Sequence, residues 1–457
     1  LTVLLALTDF SWFPFIGLPP AIQVLFTIAL LIIAMMLVWT GTLFFLGLQA
    51  DRHPPEPGGE GDFEWIFLVP ALNEEVTIRD SVERLEAIEL EGKRIVVIND
   101  GSDDGTAAVL AELGSPYLHV IERRQPEARQ GKAAALNFAF GEINRWWPEL
   151  DPDRTIVCVV DADGRIGPGS PRFVAGHFAD PLVGGVQTLV RIYNRHRLLT
   201  WFQDIEFSIY GRLFQSGRNR WGTAGMGGNG QYNRMSALAS IDASLEASEQ
   251  ALAADPDGDV TVASPASLGP WRDRLTEDQD LGLRLMIAGW LLRHDNRASV
   301  DQQGLSNLRR LLRQRTRWSQ GNLQAMRLMS PIAGSRIPTL PRIELILYLL
   351  MPLFQGVVGA SLVAAAVLAI TGTEVFSGSL WWLLFIYVLG FGGTMLGCLA
   401  AKLEARVTPA GLIKGLLTAQ IYAFYSWLLW PVLLRSTFRQ LTSRDTWAKT
   451  AREQIPS

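Results

Sequence analysis

Apolar residues collect in four long runs: residues 20–49, with no ionised side chain, and residues 343–370, 380–400 and 412–434. At 1.5 Å of rise per residue, each run is long enough to cross roughly 30 Å of hydrocarbon as a helix. One spanning helix is therefore expected before, and three after, a polar stretch from Asp51 to about Arg342. The opening residues 1–18 are apolar but broken by Asp9 and Pro14. They predict an interfacial segment or the stump of a trimmed one. A cleaved signal peptide fits poorly, because the run that follows is too long and lacks a basic leader.

Inside the polar stretch the period changes. Short β-rich runs at 65–69, 94–98, 117–121 and 155–160 are each followed by a polar turn and a stretch of helical period, the pattern of a parallel α/β sheet. Asn73 is expected as the N-cap of the first such helix, with Glu74 and Glu75 in its first turn. The second strand runs into Asn99-Asp100-Gly101-Ser102 and the fourth into Asp161-Ala162-Asp163-Gly164. Open α/β sheets bind ligands beyond the carboxyl ends of their strands, where both acidic turns fall. The expected organisation is a leading segment and helix (1–50), a Pro/Gly/Glu linker (51–63), an α/β domain (64–300), amphipathic interface helices (301–342), the later spans (343–436) and a basic tail (437–457).

Composition narrows the class. A chain of 457 residues exceeds one ordinary domain, and 48% hydrophobic residues with 15 Trp exclude a disordered chain. Lys+Arg of 41 against Asp+Glu of 45 gives a net charge of -4, too balanced for a protein whose main partner is duplex nucleic acid. Cys158 and Cys398 lie far apart in apolar runs, which excludes a disulfide framework and a Cys-rich metal site. The loop 371–378 has no basic residue whereas the central domain has many, so that domain is expected to face the cytoplasm. The tail, with Arg439, Arg444, Lys449 and Arg452, disagrees: either it is external or one later run lies in the interface. No feature sets an oligomeric state.

Several side chains are candidates for chemistry. Asp161 and Asp163, two apart in an extended segment, share a face and suit a hard cation such as Mg2+ or Mn2+ shared with a diphosphate. An Asx turn accounts for the pair equally well. Thr276-Glu277-Asp278-Gln279 fits a capping box that places Asp278 in a first helical turn, ionised and able to accept a proton; an acid that merely complements the helix dipole is the alternative. Residues 305–329 form a helix-period segment with Arg309, Arg310, Arg313, Arg315 and Arg317 on a basic polar side, facing phosphate oxygens or anionic lipid head groups. Gln314, Arg317 and Trp318 share one face there. Gly131-Lys132 places a cation at another helix start, suited to phosphate or simply solvated.

Taken in order, Asn99-Asp100-Gly101-Ser102, Gly131-Lys132-Ala133, Asp161-Ala162-Asp163, Thr276-Glu277-Asp278 and Gln314-Arg315-Thr316-Arg317-Trp318 resemble the motifs of membrane-embedded family 2 glycosyltransferases. Cellulose, chitin, hyaluronan and poly-N-acetylglucosamine synthases are of this kind. The resemblance covers roughly residues 64–329 and the flanking helices, and implies a GT-A fold. It implies that Asp100 and Asp161 hold the nucleotide beside the Pro70 to Glu74 turn, and that Asp163, with Asp161, binds Mg2+ or Mn2+. Lys132 and Arg317 would neutralise the diphosphate and Asp278 would be the catalytic base. Gln314, Trp318, Gly228, Asn229 and Glu277 would line the acceptor end.

The implied activity is inverting, metal-dependent hexosyl transfer from a UDP-sugar, UDP-glucose or UDP-N-acetylglucosamine, to a growing β-linked glycan that the membrane helices translocate. Transfer to a membrane lipid is the alternative, since four spans are few for a sealed conduit. A transporter or receptor with a nucleotide-sensing domain is a remote third. Residues 225–234 depart from the cellulose-synthase wording, and residues 236–268 match no motif of the family. Trp381, Trp382, Tyr387, Tyr422, Tyr425, Trp427 and Trp430 form either an interfacial belt or a sugar-stacking path.

Overall fold

The computed structural model describes residues 15, 17–242, 269–373, 380–402, 408–428 and 430–442. Most of the opening stretch, the unassigned segment beyond Asp242, the side chains of Trp381 and Trp382 and the tail cations beyond Thr442 lie outside the described residues. Helix α1 (Pro20–Arg52) leads into β1 (Glu64–Ala71), α2 (Ile78–Glu86), β2 (Lys93–Asn99), α3 (Thr106–Glu112), β3 (Leu118–Glu122), α4 (Lys132–Trp146) and β4 (Thr155–Val159). The four expected strands are all present, each within two residues of its expected bounds. After them come β5 (Arg165–Ile166), α5 (Ser170–Phe178), β6 (Val183–Ile192), α6 (Leu198–Ile209), β7 (Gln231–Arg234), α7 (Glu277–Ile287) and β8 (Leu291–Gln302).

Among the described residues, one sheet contains eight strands in the order β3-β2-β1-β4-β7-β6-β8-β5. β1 runs parallel to both β2 and β4, and β2 to β3. β7 is antiparallel to its neighbours β4 and β6. Both faces of the sheet are covered, which is why β1 reads as a nearly unbroken apolar run. Alternate residues serve different cores: Ile66 and Leu68 pack with Leu136 and Phe140 of α4 and with Trp271, while Trp65, Phe67 and Val69 pack with Val82 and Leu85 of α2 and with Phe178.

The chain closes with α8 (Leu308–Ala325), α9 (Thr339–Ile370), α10 (Leu380–Lys402), α11 (Pro409–Leu428) and α12 (Trp430–Leu441). Among the described residues, three helices are long and apolar enough to cross a membrane, Pro20–Arg52, Thr339–Ile370 and Pro409–Leu441; the remaining expected run forms the 23-residue α10. The α1 helix packs against α9, α10 and the helical stretch 210–219 that follows α6. The sheet is thereby fixed to the helices that flank it in sequence. Tyr425 of α11 belongs neither to an interfacial belt nor to an open path: it is buried, its ring stacked at 4.8 Å on Phe202. Cys158 and Cys398 are free and buried.

Candidate active site

Asn99 pairs with Ala71, and Val159 with Leu68, so Asp100 and Asp161 leave the sheet at the same edge on either side of β1. Two strand spacings separate them by about 10 Å. Asp100 is buried and accepts a hydrogen bond from Arg123 at 2.5 Å; burial pushes its carboxyl up, against the pull of that guanidinium. Pro70, in β1, stands opposite Ile98. Beyond it the expected N-cap is not found. Asn73 has a φ of 55°, and its amide exchanges hydrogen bonds with Asp103, at 2.6 Å to the carboxylate and 3.0 Å from the backbone N–H. The helix starts four residues later, after Thr77. Glu74 accepts from the Thr77 hydroxyl at 2.9 Å, and its backbone N–H donates to Thr106 at 2.8 Å. The physical reason is competition: an Asn side chain that finds partners in a neighbouring turn no longer needs to cap its own helix. The result is two turns clasped together beyond β1 and β2.

Lys132 opens α4 and reaches across to Asp161, Nζ to Oδ1 at 2.7 Å, to the Gly228 carbonyl at 3.3 Å and to Glu277 at 3.6 Å. Burial disfavours its charge, but the Asp161 and Glu277 carboxylates outweigh that and hold its pKa above the ordinary lysine value. Glu277 thus stands beside the cation. Asn229 has contacts within the fold that the sequence did not suggest. It is 2% exposed, its Oδ1 accepts the Asp161 backbone N–H at 3.1 Å and its Nδ2 donates to Gln302 at 3.0 Å. With both ends of the amide engaged inside the fold, it braces the acidic turn.

Thr276 stands before α7, with Glu277 and Asp278 in the first turn. The capping box is replaced by a side-chain contact, Thr276 Oγ1 donating to Gln279 Oε1 at 3.2 Å. The Gln279 backbone N–H instead binds Asp278 Oδ1 at 2.8 Å. Asp278 is not the ordinary ionised carboxylate that its sequence context implies. Burial and the adjacent Glu277 raise its pKa to about 7, opposed by Lys132, the Gln279 N–H and Arg317. An acid tuned near neutrality is suited to take and give a proton. Gly228, at φ 76°, leaves room for it: a Cβ there would lie 2.7 Å from Asp278 Oδ2.

Arg317 reaches this cluster because α8 lies flush on the start of α7; a Cβ on Gly321 would stand 2.4 Å from Thr276. Arg315 does not lie on the basic polar side of α8. It is 5% exposed, donates to Glu206 at 2.8 Å and to Gln314 at 2.9 Å, and lies 4.1 Å over the Trp318 ring. Tyr425 donates to the same Glu206 oxygen at 2.9 Å. Residues that sequence reasoning did not single out therefore matter here: Arg123, Glu206, Tyr210 and Tyr348, the last of which accepts from Gln279 Nε2 at 3.2 Å. Glu344, an acid near the start of an apolar run, was the signal available.

Asp163 is 4% exposed, and its Oδ2 accepts the Gln303 backbone N–H at 3.1 Å. Among the described residues, no three His, Cys, Asp or Glu side chains gather to hold a metal ion by themselves. Two carboxylates at the sheet edge nevertheless fit a hard divalent cation that takes its remaining ligands from phosphate oxygens and water.

The clustered carboxylates and cations at the strand ends define a site for group transfer. A family model for glycosyl transferase family group 2 matches residues 156–395, and one for glycosyl transferase family 2 matches residues 66–241; the chain belongs to the family 2 glycosyltransferases and is an enzyme of that class. Beta-monoglucosyldiacylglycerol synthase of Synechocystis is 27% identical over 63% of this chain and 56% of its own. Poly-beta-1,6-N-acetyl-D-glucosamine synthase of Staphylococcus aureus is 25% identical over 57% of this chain and 55% of its own. The chain thus spans just over half the length of these relatives. A mannosyltransferase from Pyrobaculum calidifontis, solved in complex with GDP-Man and Mn2+, superposes with a TM-score of 0.57 at 17% identity, covering 92% of this chain and 99% of that one. The fold is mixed α/β of the GT-A kind.

Proposed function

We propose that the enzyme is an inverting, metal-dependent hexosyltransferase that uses a UDP-sugar and delivers the sugar to an acceptor at the membrane surface, with its α/β domain on the cytoplasmic side. The observation that carries this reading is the convergence of Lys132, Asp161, Glu277, Gly228 and Asp278 at one sheet edge, with Arg317 close enough to act on Asp278. Asp100 and Asp161 bind the nucleotide beside the Pro70 to Glu74 turn. Asp161 and Asp163 would hold Mg2+ or Mn2+, which supplies positive charge at the diphosphate.

Asp278 removes the proton of the acceptor hydroxyl as that oxygen attacks the anomeric carbon from the face opposite the diphosphate. An α-linked donor becomes a β-glycoside. Lys132 and Arg317 stabilise the charge that builds on the leaving group, in a buried setting where fixed cations act more strongly than in water. Lys132 is a shared cation, exchanging part of its contact with Asp161 and Glu277 for phosphate oxygens. Gln314 and Trp318 bound the acceptor side through Arg315.

A growing β-glycan is the leading acceptor. A second reading, hexosyl transfer to a membrane lipid, is favoured by the longer match to the Synechocystis glycolipid synthase. Incubation of membranes with labelled UDP-glucose or UDP-N-acetylglucosamine, with and without divalent metal, tests both. Product that a β-glycanase degrades supports the polymer, and a chloroform-soluble product alone supports the glycolipid. Failure to release UDP from either donor overturns the donor assignment.

A further inference from the structure

Four contacts run in series from Asp278 to Glu344. The Gln279 backbone N–H holds Asp278 Oδ1 at 2.8 Å. The Gln279 side chain is itself held at both ends, its Oε1 by Thr276 at 3.2 Å and its Nε2 by the hydroxyl of Tyr348 at 3.2 Å. Tyr348 lies on α9, and its ring is covered by the Arg218 guanidinium at 4.2 Å. Arg218 is 1% exposed and Glu344 3%. Arg218 Nε and Nη2 both donate to Glu344 Oε1, at 2.9 and 2.8 Å, and Trp39 of α1 donates to the same oxygen at 3.2 Å.

A buried ion pair is an expensive way to join helices, and apolar side chains of similar size commonly do so at lower cost. This one carries an added penalty, because Glu344 Oε2 has no hydrogen-bond partner among the described residues. What the pair gives in return is direction: it fixes the ring of Tyr348, and Tyr348 fixes Gln279. On the other side of the carboxylate, Gly228 lacks the side chain that would displace it: a Cβ there would lie 2.7 Å from Asp278 Oδ2.

We infer that Tyr348 is a positioning residue for the catalytic base, through which the packing of membrane helices α1 and α9 sets the aim of Asp278. This rests on the assignment of Asp278 as the base. The charged and titratable groups facing that carboxylate are Glu277 on its own helix, Lys132 of α4, Arg317 of α8, and the phenols of Tyr210 and Tyr348. Removing the Tyr348 hydroxyl leaves the other groups in place, loosens the Gln279 grip and also ends the hydrogen bond between Tyr348 and Tyr210.

The test is a comparison of Tyr348→Phe, Gln279→Ala, the double variant and Asp278→Asn in full-length protein in membranes, reading UDP release. Tyr348→Phe deletes one hydroxyl and keeps the ring under Arg218. It is expected to lower kcat about fivefold, the worth of one neutral hydrogen bond, with the donor KM unchanged. The acidic limb of its kcat profile moves to higher pH, because the N–H that favours the charged carboxylate is less well held. The double variant is expected to lose no more than Gln279→Ala, since the two residues act in one chain. Wild-type kcat in Tyr348→Phe, a lowered melting temperature without a kcat change, or losses that multiply in the double variant each overturn the inference. If Asp278→Asn keeps its turnover, the base assignment itself fails; if Asp278→Asn is inactive while Tyr348→Phe is normal, only the positioning role does.

Discussion

Beyond β1 and β2, Asp100 is held by Arg123 and Asn73 by Asp103, partners 23 and 30 positions away. Beside Asp278, Gln279 reaches Tyr348 across 69 positions, Arg218 reaches Glu344 across 126, and Trp39 reaches Glu344 across 305. The first set lies within one stretch of alternating strands and helices, the second joins the α/β domain to membrane helices. Contacts that close short loops form without the rest of the molecule, whereas those that close long ones wait for tertiary packing. Nucleotide binding is thus expected to be robust to changes in the helix bundle, and chemistry at the acceptor hydroxyl sensitive to them.

The most severe way to separate the two halves is Asp278→Asn. It is expected to reduce UDP release by about a thousandfold or more, in keeping with loss of a positioned base, while UDP binding measured by calorimetry stays near wild type. Loss of UDP binding in that variant would join the halves again. Glu344→Gln comes next: it leaves Arg218 buried and poorly paired, at a cost of roughly 3–5 kcal/mol, read as a lowered melting temperature in detergent. Turnover in the surviving fraction should fall further than donor affinity does.

A gentler probe is pH. The Asp278 carboxyl, raised to about 7 by burial and Glu277, is protonated below that value and cannot accept a proton. Turnover at saturating donor should fall about tenfold per pH unit below 7, and a flat profile from pH 5 to 8 would contradict the role. The smallest effect is expected far from the cleft. Arg79 meets Glu112 at 2.5 Å with both side chains largely exposed, and Arg79→Ala should change stability by less than about 1 kcal/mol, with turnover unaltered.

Strand positions, the acidic turns after β2 and β4, Lys132 at a helix start and Asp278 in a first turn were readable because each follows from a local period or a neighbour a few residues away. Where side chains had a choice of partner, local reading failed. Asn73 was expected to cap a helix and instead clasps Asp103, and Arg315 was expected in a basic face and instead lies against Glu206. Asn229, read from the sequence only for the acceptor, also holds the Asp161 turn. In each case a partner many residues away, or in another turn, offered a better hydrogen bond than solvent or the local backbone.

By itself the chain order of apolar and polar residues determined that helices long enough for a bilayer flank an α/β sheet whose first four strands run parallel, with acids at their ends; the antiparallel strands β5 and β7 were not legible there. Hydrophobic periodicity acts over a few residues and needs no distant partner. Tertiary structure alone decided the state of those acids. Burial beside Glu277 raised Asp278 to about 7, and the ion pair of Arg218 with Glu344 brought a membrane helix beneath the residue that holds it. Desolvation and charge proximity depend on which surfaces meet, and only the packed molecule brings them together.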